Sequence, residues 1–254
     1  MMRNLVRRDI FAALLAITTV SIAAPASAAD TQVAVAANFT EPAKEIAAAF
    51  TKATGNNAIL SFGSSGAFYT QMAHGAPFEI FLSADADRPK KAEQEGLGVP
   101  GSRFTYAIGR LALYSTKPGF VDEGGTVLKS GRFEKIAIAD PVAAPYGVAA
   151  IQAMKKLGVY PALSKKIVKG TSITQAYQFV ATGAAELGFV ALSQVINEQG
   201  GSRWIVPTTL HAPIDQQAVL LWTGAKNPAA KAFLKFMKTP EAIAIIKRYG
   251  YETR

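Results

Sequence analysis

The chain has 254 residues, 50% of them hydrophobic and 18% charged, a composition that can bury a core and is not that of a disordered tail. Its 27 Lys+Arg against 18 Asp+Glu leave a net charge of +9, but the basic residues are scattered singly and in pairs, without the basic, aromatic-interleaved run that tracking nucleic acid requires. There is no cysteine and there are two histidines, which excludes disulfides, thiol catalysis, Cys-type zinc or iron–sulfur sites and an all-imidazole metal cage.

The first predicted element is a leader. Arg3, Arg7 and Arg8 precede an uncharged stretch at 10–29 that contains the small-residue run Ala26-Ser27-Ala28. Residues 1–28 therefore read as a cleaved secretory signal peptide. A membrane span is the competing reading, but Thr18, Thr19, Ser21 and Pro25 shorten the apolar part and no basic stop-transfer cluster follows. Arg7-Arg8 ahead of Phe11 partly matches a twin-arginine signal, so Sec and Tat export both stay open. Cleavage removes three arginines and one aspartate, taking the charge from +9 to +7. The expected compartment is the periplasm, and the absence of cysteine excludes a lipid anchor.

Strand-like and helical runs then alternate. A strand is predicted at 32–37, a helix at 41–54 with Pro42 in its first turn, and a strand at 58–62. Gly63-Ser64-Ser65-Gly66 follows, then a helix over 67–74. Next come a strand at 79–83, a helix at 88–95 capped by Asp85 or Asp87, and one strand-like run over 106–115. After a loop at 117–125 the pattern predicts a strand at 135–139, helices at 146–157 and 174–182, a strand at 187–190 and a helix at 191–197. A strand at 217–222 and helices at 228–237 and 239–249 close the chain. The alternation argues for α/β architecture with largely parallel sheets. Periodicity leaves open one wide sheet or two lobes sharing crossover strands, with 117–125 and 211–215 as edges of a middle lobe. Phe62, Phe68, Phe78, Phe81, Trp204 and Trp222 are expected in the core, and His74 and His211 at the surface.

Four times a strand ends, a small polar group follows and a helix starts: at Asn38-Phe39-Thr40, at Gly63–Gly66, at Asp140-Pro141 through Pro145-Tyr146-Gly147, and at Gly170-Thr171-Ser172-Ile173. The first turn of a helix leaves N–H groups unpaired and carries positive potential, so several such turns can surround an anion without any charged side chain. Each taken singly is equally an ordinary N-cap. A fully ionised oxyanion has only acceptor oxygens and suits a site of donors alone, whereas phosphate near neutral pH retains a proton and wants an acceptor. Glu41 and Asp140 are the carboxylates in these segments, and both read as helix- or turn-stabilising. The rival chemistry is a serine hydrolase at Ser65. It lacks the last glycine of the G-x-S-x-G elbow, because position 67 is alanine, and no motif supports His211 with Asp140 or Glu186 as partners.

The stretches VAVAANFTEPAKEIAAAF, SFGSSGAFYTQMAHGAPFEIFLSAD, IAIADPVAAPYGVAAIQAM, LGFVALSQV and FLKFMKTPEAIAIIKRYGY resemble the molybdate-binding proteins of bacterial ABC transporters. The resemblance implies a two-lobed periplasmic binding fold: lobe I over 29–112, lobe II over 113–216, and a return to lobe I over 217–254. It implies a monomer that captures molybdate or tungstate for a membrane permease, with no catalysis, no cofactor and molybdenum held as the oxyanion rather than as a cation. Sulfate is the alternative guest. Carried over by position, the ligand contacts fall on Asn38, Ser65, Tyr146 and Ile173, with Ser64 a secondary candidate. One position departs from the family pattern: Ala191 stands where many relatives place a ligand-contacting tyrosine, and the Tyr146 hydroxyl is the expected substitute.

Overall fold

The computed structural model describes residues 29–253; the expected signal peptide lies outside the described residues. Among the described residues there are two five-stranded sheets. The first is built from β1 (Asp30–Ala36), β2 (Asn57–Gly63), β3 (Ile80–Leu82), β4 (Phe104–Gly109) and, late in the chain, β10 (Ile214–Leu220), in the order β2-β1-β3-β10-β4. The second contains β5 (Leu111–Ser115), β6 (Ile136–Ala139), β7 (Ile167–Gly170), β8 (Leu187–Ala191) and β9 (Ser202–Ile205), in the order β7-β6-β8-β5-β9. In each sheet one strand, β10 or β5, runs against the other four. The sheets are thus mixed and mainly parallel, as expected.

Helices cover both faces of the sheets. The first lobe carries α1 (Thr40–Thr54), α2 (Ser65–Ala73), α3 (Asp87–Gln94), α9 (Pro228–Phe236) and α10 (Pro240–Arg248); the second carries α4 (Val127–Ser130), α5 (Pro145–Lys156), α6 (Tyr160–Leu163), α7 (Ile173–Ala181) and α8 (Leu192–Val195). Their ends follow from local chemistry. Gly55, at φ 74°, closes α1 by donating to Thr51 O, a left-handed position that glycine takes without steric cost. Asn227 and Thr239 cap α9 and α10 ahead of a proline at the first position. Phe50 of α1 packs against Phe233 and Phe236 of α9, and Ile246 of α10 joins them over β1 and β3. Phe68 and Met72 of α2 cover the opposite face with Phe81 and Val219. Strands buried on both sides need no alternation, which is why β6 reads IAIA and β8 reads LGFVA.

The run at 106–115, read as one strand, is two strands in different sheets. Arg110 parts them, and a Cβ at Gly109, the last residue of β4, would collide with the Tyr146 hydroxyl, so glycine leaves the room that lets lobe II approach the crossover. The chain changes sheet at Arg110 and returns across 206–213. A third segment runs alongside, where Ile108 and Glu252 exchange main-chain hydrogen bonds of 2.7 and 3.1 Å. The edge strands β7 and β9 have no counterpart in the sequence reading, being four residues long with polar or exposed positions. Three core expectations are corrected. Trp222 is 55% exposed at the end of β10 and Phe62 is 38% exposed on the edge strand β2, because neither lies on a covered face. His211 is only 4% exposed, packed into the return crossing with Nδ1 2.7 Å from Ala212 O; burial lowers its pKa.

Candidate functional site

A small cavity lies between the lobes, lined by Ala36, Ala37, Asn38, Gly63, Ser64, Ser65, Ala84, Ala144, Pro145, Tyr146 and Ile173. The space between these walls is about 200 Å³, part of it open to solvent. All five residues expected from the sequence line it, three from lobe I and two from lobe II. Among the described residues no charged side chain lines it. Glu41 pairs with Lys44 at 2.8 Å, and Asp140 folds its own turn, accepting from Val142 N at 3.1 Å.

The lining residues expected from the sequence stand at or just ahead of helix starts. Ser65 is the first residue of α2, Tyr146 the second of α5 and Ile173 the first of α7, while Asn38 sits in the short 3-10 turn Ala37–Phe39 ahead of α1. Their N–H groups have no acceptor within their own helices, and three helix dipoles add positive potential at one point. The two serines differ. Ser64 Oγ caps α2, accepting from Ala67 N at 3.4 Å. Ser65 Oγ accepts from Ala84 N at 2.9 Å, which fixes the oxygen and leaves its proton free to donate to a guest. Asn38 spends both amide protons inside the protein, on Gln216 Oε1 at 2.8 Å and Tyr251 OH at 3.0 Å. Its available donor is therefore the main-chain N–H. The Tyr146 hydroxyl, expected to stand in for a missing tyrosine, accepts from Gln216 Nε2 at 3.3 Å and lies against Gly109; the first-turn N–H of Tyr146 is free of such ties. Ala191 is buried at the end of β8 and does not line the cavity.

Behind Asn38 lies a polar network that sequence reasoning missed. Tyr251 donates to Asn38 O or Ser193 Oγ (2.7 and 2.9 Å), and Ser193 Oγ donates to Asn38 O at 2.8 Å. One proton per hydroxyl suffices when Asn38 Nδ2, Tyr251 and Ser193 donate in turn around a ring back to Asn38 O. Tyr106 lies 3.1 Å from both Ser83 O and Gln216 Oε1. Gln216 reaches this point at an irregularity in the β10–β4 register between Gln216 and Gln217, a local re-aiming typical of bulges. The signals were the paired glutamines Gln216 and Gln217 at the start of a strand and the closing Tyr251, both legible as types but not as neighbours.

Burial pushes the Tyr106 and Tyr146 phenols well up and takes Tyr251 to about 12. All three stay protonated donors through the neutral range. A raised phenol contributes stability that is whole below the unfolded value near 10 and is lost as pH climbs through the folded value. The thermal midpoint should therefore fall between pH 10 and about 12, and Tyr251→Phe should flatten that fall; an equal slope in the variant would contradict the assignment.

The hydrolase reading finds no assembly. His74, exposed at the end of α2, bonds Thr70 O at 2.8 Å, and His211 bonds Ala212 O; neither histidine is hydrogen-bonded to Ser65. Also among the described residues, no group of three or more His, Asp or Glu could hold a cation.

Two mixed sheets joined by crossover strands, with helix starts from both facing one uncharged cavity, define a two-lobed solute-binding protein. Residues 31–252 match the bacterial extracellular solute-binding protein family, and the chain belongs to it. The molybdate-binding protein ModA of Rhodobacter capsulatus is 61% identical over 91% of this chain and 92% of its own length. ModA of Azotobacter vinelandii is 56% identical with the same coverage. The solved periplasmic molybdate-binding protein of Azotobacter vinelandii superposes with a TM-score of 0.86 at 44% identity, over 88% of this chain and 99% of that one.

Proposed function

We propose that this protein captures molybdate, and tungstate with it, in the periplasm and delivers it as a monomer to the membrane permease of an ABC importer. The observation that carries this reading is the donor set: the Ser65 hydroxyl and the first-turn N–H groups of Asn38, Ser65, Tyr146 and Ile173 border one cavity without a carboxylate or cation. Such a wall offers donors from both lobes and no carboxylate, which matches a dianion whose four oxygens are all acceptors. Charge-assisted hydrogen bonds, each contributing about 1.5–3 kcal/mol, offset the cost of stripping water from the dianion. The kinship with molybdate-binding proteins named above supports molybdenum and tungsten oxyanions over smaller ones. Ligand binding would favour the closed arrangement because only there do donors of both lobes meet. The chemistry is capture and release, with no bond made or broken.

Calorimetric titration of the mature protein with molybdate, tungstate, sulfate and phosphate side by side tests this. Molybdate and tungstate should bind with similar affinity, sulfate more weakly through looser contact in the same cavity, and phosphate least because its proton finds no acceptor. Sulfate binding tighter than molybdate would reassign the guest; equal binding of phosphate would contradict the all-donor site.

A further inference from the structure

A second set of contacts joins the lobes beside the cavity, and its parts come from motifs that the donor set did not use. Gly66, the last residue of Gly63-Ser64-Ser65-Gly66, donates its N–H to Ala143 O at 2.9 Å. A Cβ on Gly66 would lie 3.0 Å from both Ala143 Cα and Ala143 O, and 3.1 Å from Arg88 Nη2. Real Cβ atoms seldom come so near to main chain, so the lobes approach this closely because the position carries no side chain. Backbone conformation is not the reason, since Gly66 has no positive φ. Within lobe I an alanine in this second position of α2 would meet only the far end of the flexible Arg88 side chain.

Arg88 makes the neighbouring contact. Its Nη2 donates to Val142 O at 3.0 Å, while Nη1 pairs with the Asp85 carboxylate. Asp85 is itself fixed, since its Oδ1 accepts from Arg88 N at 3.1 Å and from Ser83 Oγ at 3.0 Å. The guanidinium is thus aimed before the lobes meet. On lobe II the receiving turn is equally rigid: Ala143 N and Ala144 N donate to Asp140 O at 3.1 and 2.8 Å, and Asp140 N donates to Gly170 O at 2.7 Å. Asp140 therefore holds the carbonyls of Val142 and Ala143 out toward lobe I. Gly66 follows Ser65 directly and Ala143 stands three residues before Tyr146, so a change in spacing here moves donors of both lobes apart.

We propose that Gly66 against Ala143, and Arg88 against Val142, form a clasp that sets how far the lobes close and hence how long the oxyanion is held. The inference rests on the oxyanion-binding reading above and adds positioning residues that do not line the cavity. In the closed form, Gly66→Ala forces the lobes apart by a few tenths of an ångström; Arg88→Gln removes the charged donor without adding volume.

The test is stopped-flow and calorimetric binding of molybdate to the full mature chain, with thermal unfolding of each variant measured without ligand. Gly66→Ala should raise the dissociation rate and weaken binding about tenfold or more, the scale of a small overpacking penalty. Arg88→Gln should weaken it about threefold to tenfold, as fits one partly exposed charge-assisted bond. The ligand-free midpoint of Gly66→Ala should match or exceed the wild type, a result that a merely structural role for the glycine would not give. Wild-type binding kinetics in both variants would overturn the clasp while leaving the oxyanion site standing. A wild-type protein that binds neither molybdate, tungstate nor sulfate would overturn both. Should Gly66→Ala fold poorly, that outcome itself contradicts the closed-form clash as the sole effect, and Arg88→Gln then decides whether a clasp exists.

Discussion

Asn38→Asp is expected to weaken molybdate binding by more than about a hundredfold at a pH near 8, the largest effect of any single substitution in this protein. The amide of Asn38 donates to Gln216 Oε1 and Tyr251 OH. A carboxylate would set an oxygen against the Gln216 oxygen and lodge a negative charge in the wall of a cavity built for a dianion. Two penalties follow, one of lost pairing and one of repulsion, and neither is relieved by solvent because the residue is buried. Burial would also raise the pKa of the new carboxyl, so affinity should recover in part as pH falls and the group takes up a proton. Titrations at pH near 6 and near 8, with thermal midpoints at each, measure this. Wild-type affinity at both would show that Asn38 does not border the guest.

Ser65→Ala comes next, with an expected loss of about ten- to a hundredfold in affinity. Its hydroxyl oxygen already accepts from Ala84 N, so the proton is the part available to the oxyanion, and alanine removes it. Binding should be reduced rather than abolished because the first-turn N–H of residue 65 remains. The substitution also leaves the buried Ala84 N–H without its partner, at a cost of about 1–3 kcal/mol in stability, which thermal unfolding without ligand would register. Ser64→Ala is the informative contrast: Ser64 supplies a long helix cap at 3.4 Å, so its loss should lower stability slightly and leave affinity within a few-fold. Equal effects of the two serines on affinity would contradict the assignment of the donor to Ser65.

The predicted effects rest on distances that no pattern in the chain reveals. The helix starts themselves were readable: glycine and small polar residues between a β-branched or alanine-rich run and an amphipathic one mark a strand-to-helix turn wherever they occur. Asn38, Ser65, Tyr146 and Ile173 were placed by that rule together with family resemblance, and they converge on one cavity. The rule does not tell a side-chain donor from a main-chain one. Asn38 was expected as a contact with no donor atom assigned, and its amide serves Gln216, 178 residues away. Nor did Phe62 and Trp222 announce their exposure or His211 its burial, because hydrophobic content says nothing about which sheet face is covered and a crossing strand can bury a polar ring.

By itself the sequence determined the alternation of strands and helices, the helix caps and the small polar residues at the helix starts, and so the kind of guest they suit. These depend on neighbours a few residues apart, which periodicity and capping chemistry record. Only the tertiary structure decided that the run at 106–115 divides between two sheets, that Gln216 and Tyr251 hold Asn38, and that Gly66 meets Ala143. Those are contacts between residues far apart in the chain, set by how two lobes pack across their crossovers, and packing is a property of the whole fold rather than of any local stretch.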